Sequence, residues 1–103
     1  QSDAVLCNND DLALGVLFEC QRRNISIPQD MGICGFNDIS VMATAHPTLS
    51  SVRTPRREIG RQAMAMILAR LGGEDPGRTV RDLGFEVIPR TSTARAIPQN
   101  SSA

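Results

Sequence analysis

The 103-residue chain contains 41% hydrophobic and 21% charged residues, a composition typical of one soluble globular domain. Eleven basic and eleven acidic residues give a formal net charge of zero, which argues against nucleic-acid binding by this chain alone, because duplex binding requires a basic surface. Every basic residue is arginine, so reactions that depend on a lysine, such as Schiff-base formation, are excluded for these residues.

The three cysteines and the single histidine indicate neither a disulfide framework nor a metal centre. Cys7, Cys20 and Cys34 are odd in number, lie within apolar runs and lack a Cys-x-x-Cys spacing, which favours reduced core thiols. No apolar stretch reaches the roughly 20 residues of a membrane span. We therefore expect a cytoplasmic protein with no metal, no other cofactor and no membrane contact.

The first predicted unit is a strand that leads directly into a helix. The apolar run Ala4 to Cys7 predicts a buried strand, and the polar residues Asn8 to Asp11 follow it. The helix is predicted over Asp11 to Arg23, with Asn9 or Asp10 as its N-cap. Ligands of open α/β sheets bind beyond the carboxyl ends of the strands, so this polar cluster is a candidate site.

The predicted helix is apolar over more than half of its circumference. Its apolar positions are Ala13, Leu14, Val16, Leu17, Phe18 and Cys20. A helix of this kind needs two partners, for example the sheet on one side and another helix or subunit on the other. Asn24 suits the left-handed position that follows a helix end.

A second strand is predicted over Met31 to Phe36, and it ends in another amide and carboxylate pair, Asn37 and Asp38. The strand, the helix and the second strand occupy about 33 residues, the size of one β-α-β crossover, so the two strands should be parallel. Their polar ends should then face each other at one edge of the sheet. Asn9, Asp10, Asn37 and Asp38 are therefore candidate ligand-binding residues, although helix capping and turn formation would explain the same residue types.

The second half of the chain predicts one further long helix and two further strands. The elements are a short helix over Ile39 to Ala45 with Asp38 as a possible cap, a strand over Leu49 to Arg53, a helix from Pro55 to Leu71 with Thr54 as its cap, a strand over Val80 to Ile88, and a disordered tail from 95 to 103. Four strands and two long helices cannot cover both faces of a parallel sheet. The sequence therefore predicts exposed apolar surface and a C-terminal piece of a longer protein.

The arginines near the start of the second long helix are a possible anion site. Glu58 lies among them, which favours a solvated helix face instead. The arginines concerned are Arg53, Arg56, Arg57 and Arg61.

Six short motifs occur in a characteristic order. They are Asp3 to Gly15, Ile27 to Asp30, Gly35 to Asp38, Pro47 to Arg53, Glu58 to Gly60, and Arg90 to Thr93. Each motif alone is weak, but six in order at the right spacing are specific. The chain resembles the C-terminal effector-binding region of bacterial transcriptional repressors of the LacI/GalR family, and it is most similar to the gluconate-operon-repressor subgroup.

The resemblance implies an α/β fold of the periplasmic-binding-protein-like class (type I). Residues 1–94 would be the C-terminal part of a two-lobe effector-binding domain, with residues 3 to about 48 in one lobe, the helix from Pro55 to Leu71 in the other, and Val80 to Thr93 returning. It also implies a small-molecule effector, either a sugar or a sugar acid such as gluconate. The repressors of this family are dimers or higher homo-oligomers, and they contact DNA through a helix-turn-helix that is not among these residues.

Carried over residue by residue, the resemblance assigns ligand contact to Asn9 and Asn37. The family commonly has an aspartate at the second position, which binds sugar hydroxyls. An amide at Asn37 carries no charge and is compatible with an anionic ligand. Asp10 would support the site, mainly as a helix cap. The resemblance also implies a dimer interface that includes Leu14, Leu17, Phe18 and Met42.

Two other classes of protein share parts of this pattern. A solute-binding protein of a sugar transporter would have the same fold but would be exported, which the reduced cysteines disfavour. A small α/β enzyme using Asp10 and Asp11 for phosphoryl transfer would want a lysine near the acids, and the chain has none. The leading prediction is therefore effector sensing without catalysis.

Overall fold

The computed structural model describes residues 3–75 and 80–94, which form a four-stranded sheet with two α-helices. In chain order the elements are β1 (Ala4–Leu6), α1 (Asp10–Arg22), β2 (Gly32–Phe36), a 3-10 segment (Ser40–Ala43), β3 (Ser50–Arg53), α2 (Arg56–Leu71), β4 (Glu86–Ile88) and a second 3-10 segment (Thr91–Thr93). The predicted set of four strands and two long helices is confirmed for the described residues. The tail predicted as disordered from 95 to 103 lies outside them.

The sheet has the strand order β1-β2-β3-β4, so each strand pairs with its neighbour in the sequence. β1 pairs with β2 in parallel, with Leu6 opposite Cys34, and β2 pairs with β3 in parallel. β4 runs antiparallel to β3, with Arg53 opposite Glu86. The predicted parallel β-α-β unit is confirmed. The carboxyl ends of β1, β2 and β3 consequently lie at the same edge of the sheet.

The prediction of a strand from Val80 to Ile88 is wrong, because only Glu86–Ile88 is a strand. A turn precedes it: Gly84 has a φ of +80°, and its amide donates to the Asp82 carboxylate with 2.8 Å between N and Oδ1. A positive φ is incompatible with extended backbone, so the strand begins only after this turn. The alternation of apolar residues here therefore spans a turn as well as a strand.

The chain divides into two compact units. One unit runs to Arg53 and resumes at Glu86, and the other comprises Thr54–Phe85. The first unit contains the sheet and α1, and the second contains α2. These boundaries lie close to those that the resemblance implies for two lobes.

The core of the first unit lies where α1 packs on the sheet. α1 contributes buried residues at helical spacing, which are Asp10, Ala13, Leu17 and Cys20. The apolar core cluster consists of Cys7, Ala13, Leu17, Ile33, Met42 and Leu49. Leu14 and Val16 are half-buried against this cluster, whereas Leu12 and Phe18 are 53% and 60% exposed. α1 thus keeps apolar surface outside the core.

Two of the four residues predicted at a dimer interface belong to the core instead. Leu17 and Met42 are 1% and 0% exposed and pack in the same cluster as Ile33, so neither side chain is available to a second chain. Periodicity in a helix that is apolar on most sides does not reveal which side faces the sheet. Leu14 and Phe18 keep accessible surface, and their place at an interface stays a prediction.

Asparagines flank α1 on both sides. Asn9 has an extended backbone, and its side-chain oxygen accepts from the Leu12 amide at 2.8 Å, so Asn9 is the N-cap and Asp10 is not. Asn24 has a φ of 58°, and its amide donates to the Gln21 carbonyl at 3.2 Å, as in a Schellman motif. The left-handed conformation predicted for Asn24 is confirmed.

α2 has no buried residue. The exposed apolar side chains are Ile59 (44%), Met64 (54%), Ile67 (53%), Leu68 (60%) and Leu71 (78%), which confirms the predicted apolar surface. The predicted cap by the Thr54 side chain is wrong, because the Arg56 amide donates to the Thr54 backbone carbonyl instead. Neither α1 nor α2, the two α-helices of the described ranges, combines the length and the apolarity needed to cross a membrane.

Candidate functional site

The polar segments that follow β1 and β2 lie together at the carboxyl edge of the sheet. The Cys7 amide, just after β1, donates to the Cys34 carbonyl of β2 at 2.8 Å. The Asn37 amide, just after β2, donates to the Val52 carbonyl of β3 at 2.8 Å. Strand pairing therefore continues up to the two polar segments. The structure brings both to one edge, as the parallel arrangement predicts.

Asp10 is a buried carboxylate that connects α1 to the neighbouring elements. The residue is 2% exposed; its Oδ1 accepts from the Ser51 hydroxyl of β3 at 2.8 Å, and its Oδ2 accepts from the Ile39 amide after β2 at 2.7 Å. A buried carboxylate with a donor on each oxygen is a structural support rather than a reactive group. The supporting role predicted for Asp10 is therefore present, but it acts across three elements and not as a helix cap.

Ser51 extends this connection to the turn after β2. It is 0% exposed, and its hydroxyl donates to Asp10 and accepts from the Asp38 amide at 2.9 Å, which uses both its donor and an acceptor site. The amides of two consecutive residues, Asp38 and Ile39, are thus held by Ser51 and Asp10 respectively. Sequence reasoning missed Ser51, whose only signal is a small polar residue within a strand.

Gly35 is required for Asp10 to reach this position. A Cβ at Gly35 would lie 2.2 Å from Asp10 Oδ1, 2.9 Å from Met42 Cε and 3.2 Å from Ala13 Cβ. Backbone without a side chain at this point lets the start of α1 pass over β2. The glycine thus explains why Asp10 can contact β3, the next strand along.

The backbone at Asn37 and Asp38 is left-handed, with φ values of 104° and 53°. Such values are uncommon for residues with a side chain, and asparagine and aspartate tolerate them best. The Asn37 carboxamide is partly exposed and has no hydrogen-bond partner within residues 3–75 and 80–94. A carboxamide has both donors and acceptors, so this group can bind hydroxyl or carboxylate oxygens of a ligand.

Asn9 uses one end of its side chain within the protein. Its oxygen caps α1, whereas its amide nitrogen has no acceptor in the part of the chain that the structure describes. Capping and ligand binding, which the sequence leaves open, are therefore compatible, because they use different atoms. Ligand contact by Asn9 and by Asn37 stays a prediction.

The Asp38 carboxylate is occupied by two arginines. Arg90 Nη1 donates to Oδ1 at 2.7 Å, and Arg53 donates to Oδ2 from Nε at 2.9 Å and from Nη2 at 2.8 Å. These bonds, the one from Arg90 foremost, hold the pKa of Asp38 below its ordinary value. The prediction that Asp38 caps a following helix is wrong, because Ile39 takes the N-cap position of the 3-10 segment and no side chain caps it. A ligand would have to compete with both arginines for these oxygens, and ligand contact by Asp38 stays a prediction.

Arg53 is a site residue that sequence reasoning assigned to a solvated helix face. It is the last residue of β3 and therefore lies at the same edge as Asn37. Its position at the end of a predicted strand could have indicated that it lies at the candidate site. Arg90 is 15% exposed at its side chain and also donates to the Leu49 carbonyl at 2.8 Å, so it is held more firmly than Arg53, whose side chain is 51% exposed.

A cluster of hydroxyls places Arg90 beside Asp38. Ser92 is 0% exposed; its Oγ donates to the Ile33 carbonyl at 2.5 Å and accepts from the Ser50 amide at 2.8 Å. The Ser50 hydroxyl in turn accepts from the Arg90 amide at 2.8 Å. The segment after β4 is thereby fastened to β2 and β3 through buried side chains.

The described ranges contain no group of three or more histidine, cysteine, aspartate or glutamate side chains that could hold a metal ion. A cavity of about 220 Å³ lies at the amino ends of β1 and β2, lined by Asp3, Ala4, Pro28, Gly32 and Thr93. It is at the opposite end of the strands from the polar edge. The edge itself carries the Asn9 and Asn37 carboxamides beside the hydrogen bonds that Asp10, Ser51 and Asp38 make.

The fold defines an α/β domain, and its polar strand edge is a candidate ligand-binding site. The sequence model of one protein family, the periplasmic binding protein-like domain, matches residues 1–93 of this chain. The chain belongs to this family.

The chain is similar to bacterial transcription regulators of the LacI family, which confirms the resemblance. It is 43% identical over 93 residues to the HTH-type transcriptional regulator GntR of Pseudomonas aeruginosa, covering 90% of this chain and 27% of that protein. The crystal structure of the transcription regulator GntR from Chromobacterium violaceum matches with 43% identity and a TM-score of 0.77, covering 88% of this chain and 34% of that one. A LacI-type transcription regulator from Bifidobacterium animalis subsp. lactis matches with 32% identity and a TM-score of 0.78, covering 87% and 32%. The chain spans about a quarter of the length of the curated relatives it matches.

Proposed function

We propose that this chain is the effector-sensing and dimerising part of a cytoplasmic transcriptional repressor that responds to a sugar or a sugar acid. The observation that carries the proposal is the supported strand edge, where the Asn37 carboxamide and the side-chain nitrogen of Asn9, both uncharged, have no hydrogen-bond partner among residues 3–75 and 80–94. The similarity to LacI-family regulators supports the regulatory role. DNA would be contacted through a separate helix-turn-helix domain.

The chemistry of the edge favours a polyhydroxylated ligand that carries a carboxylate. Each sugar hydroxyl both donates and accepts, which matches the carboxamides of Asn9 and Asn37. An uncharged amide at Asn37 does not repel an anion, and the Asp38 carboxylate beside it is already paired with Arg53 and Arg90. We therefore take gluconate as the effector to test.

The same geometry argues against catalysis by Asp10 and by Asp38. A nucleophile or general base needs an oxygen within reach of the substrate. Both oxygens of Asp10 and both oxygens of Asp38 accept from protein donors. The enzyme alternative that uses Asp10 and Asp11 would have to dismantle the support described above.

The effector would act by population shift. It would bind one conformation of the intact protein more tightly than another. If operator DNA also prefers one of these conformations, the effector changes the affinity for DNA, and the size of this change is the coupling free energy between the two sites. Because linkage is reciprocal, operator DNA would change the affinity for the effector by the same factor. Dimerisation, through apolar surface of α1 that includes Leu14 and Phe18, would let two DNA-binding domains act together.

The test is calorimetric titration of the intact protein with D-gluconate and with D-glucose, for the wild type and for Asn37→Asp. We expect the wild type to bind gluconate at least tenfold more tightly than glucose. The added carboxylate in Asn37→Asp should weaken gluconate binding by repulsion and affect glucose less. Aspartate is almost the same size as asparagine and tolerates the same backbone conformation, so the comparison isolates charge.

Equal affinity of the wild type for gluconate and glucose would contradict a sugar-acid effector. Failure to bind either ligand would contradict the effector site at this edge. Operator binding that does not change when gluconate is added, although gluconate binds, would contradict the regulatory mechanism.

A further inference from the structure

We propose that Asp10 and Ser51 are positioning residues that set the spacing between the two ligand-binding carboxamides, an inference that rests on the proposed function of the strand edge. Asp10 directly follows Asn9 in the chain, and the two amides that the Asp10 and Ser51 pair holds directly follow Asn37. One buried carboxylate therefore connects the segment that carries the first carboxamide to the segment that carries the second.

The turn that contains Asn37 needs stabilising contacts from other parts of the chain. Asn37 and Asp38 are both left-handed, a conformation that costs free energy for residues with a side chain. Hydrogen bonds from the Asp38 amide to Ser51 and from the Ile39 amide to Asp10 keep this turn in place. Without them the backbone can relax, and the direction of the Asn37 carboxamide is no longer defined.

The hydrogen bonds to Asp10 and Ser51 fix the turn firmly because both side chains are buried. Asp10 and Ser51 are 2% and 0% exposed, so water does not compete for their hydrogen bonds. Gly35 lies directly under Asp10, where a Cβ would approach Oδ1 to 2.2 Å, so the carboxylate cannot move toward β2. The carboxylate is therefore restricted by both packing and hydrogen bonding. A small displacement of such a group changes ligand affinity, because recognition depends on sub-ångström placement.

The experiment compares Ser51→Ala with Thr48→Val in the intact protein. Thr48 is the matched control: it lies before the amino end of β3, and its hydroxyl donates to the Thr91 hydroxyl at 3.1 Å and accepts from the Thr91 amide at 3.3 Å, away from the turn after β2. Both changes remove one hydroxyl that makes two hydrogen bonds, and both should lower the free energy of unfolding. Two quantities separate them: the dissociation constant for D-gluconate, and the hydrogen-exchange rate of the Asp38 amide.

We expect Ser51→Ala to weaken gluconate binding about tenfold, the effect of losing one hydrogen bond within a charged network. The Asp38 amide should exchange faster in this variant. Thr48→Val should keep the wild-type affinity within about twofold and leave the exchange of the Asp38 amide unchanged.

Asp10→Asn is a second variant of nearly the same volume, which keeps the proposal testable if Ser51→Ala does not fold. Its amide can still accept from Ser51 or from Ile39, but not from both through equivalent oxygens. It should also weaken gluconate binding, whereas Asp11→Asn, at an exposed carboxylate of the same helix turn, should not.

Unchanged gluconate affinity in folded Ser51→Ala and Asp10→Asn would overturn the positioning role while leaving the proposed function intact. An equal loss of affinity in Thr48→Val and Ser51→Ala would also overturn it, since that pattern reflects general destabilisation. Absence of gluconate binding by the wild type would overturn the proposed function and this inference with it.

Discussion

The carboxylate of Asp10 and the hydroxyl of Ser51 form a buried hydrogen bond of 2.8 Å between residues that are 41 positions apart in the chain. The bond joins the first turn of α1 to β3 and passes over Gly35 of β2. Three requirements therefore meet at one point: an acid at the start of a helix, a hydroxyl in a strand, and a residue without a side chain between them.

Gly35→Ala should lower the free energy of unfolding by about 2 to 3 kcal/mol, measured by urea denaturation, because the new Cβ would collide with Asp10 Oδ1. Gly15→Ala is the control, since a Cβ at Gly15 meets no atom within 4 Å and alanine favours a helix interior. It should leave the stability unchanged or raise it by up to about 1 kcal/mol. Similar losses in the two variants would contradict a specific collision at Gly35.

Asp38→Asn should destabilise the protein by about 2 kcal/mol at pH 7, because Arg90 would lose its charged partner in a mostly buried position. The pKa of Asp38 is lower in the folded protein than in the unfolded chain. Its ion pairs therefore stabilise the fold above the unfolded pKa of about 3.9, and this stabilisation is lost as the pH falls through the folded pKa.

Urea midpoints of the wild type and Asp38→Asn between pH 7 and pH 3 test this pH dependence. The difference between the two proteins should shrink below about pH 4, because the Asp38 carboxyl then binds a proton in the unfolded chain more readily than in the folded protein. Asp11→Asn, at an exposed carboxylate without an ion pair in the described ranges, should change the stability at pH 7 by less than about 0.5 kcal/mol. A constant difference across the pH range would show that Asp38 contributes by packing alone.

Ser92→Ala should cost about 2 kcal/mol of unfolding free energy, because the Ile33 carbonyl would lose its donor and the Ser50 amide its acceptor. The backbone amide of Ser50 should exchange its hydrogen faster in this variant than in the wild type. Ser40→Ala, at an exposed position of the 3-10 segment, should change the stability by less than about 0.5 kcal/mol. Unchanged protection of the Ser50 amide would contradict the anchoring role of Ser92.

Phe18→Glu should weaken self-association of the intact protein at least tenfold, measured by sedimentation equilibrium, because a charge would enter an apolar interface. The monomer should keep its stability, since Phe18 is 60% exposed. Leu12→Glu is the control: Leu12 is 53% exposed but lies about 120° away around α1. Equal weakening by both changes would contradict an interface on the Leu14 and Phe18 side of the helix.

Local patterns predicted the elements of the fold that depend on local chemistry. The left-handed Asn24 after the end of α1 follows from its residue type, and the parallel pairing of β1 with β2 follows from the length of the segment between them. The strand from Val80 could not be predicted correctly, because apolar alternation does not register the turn that Asp82 and Gly84 form.

The site could be predicted only in part, for a physical reason. The sequence shows directly which residues follow each strand. Asn9, Asp10, Asn37 and Asp38 could therefore be placed at one edge of the sheet. The partners of the two carboxylates come from distant parts of the chain, and Ser51 and Arg90 could not be paired with them before the fold was known. For the same reason, Leu17 and Met42 could be recognised as apolar but not as core.

The register of β3 and β4 makes the second unit an insertion into the first. The chain leaves the sheet after Arg53 and re-enters it at Glu86, and these two residues are direct partners in an antiparallel pair. Two antiparallel partners can be joined by a two-residue turn, for which Asn-Gly is the favoured sequence. Replacing Thr54–Phe85 by Asn-Gly would therefore convert β3 and β4 into a hairpin and leave the Asp10, Ser51 and Ser92 contacts on one continuous miniature domain.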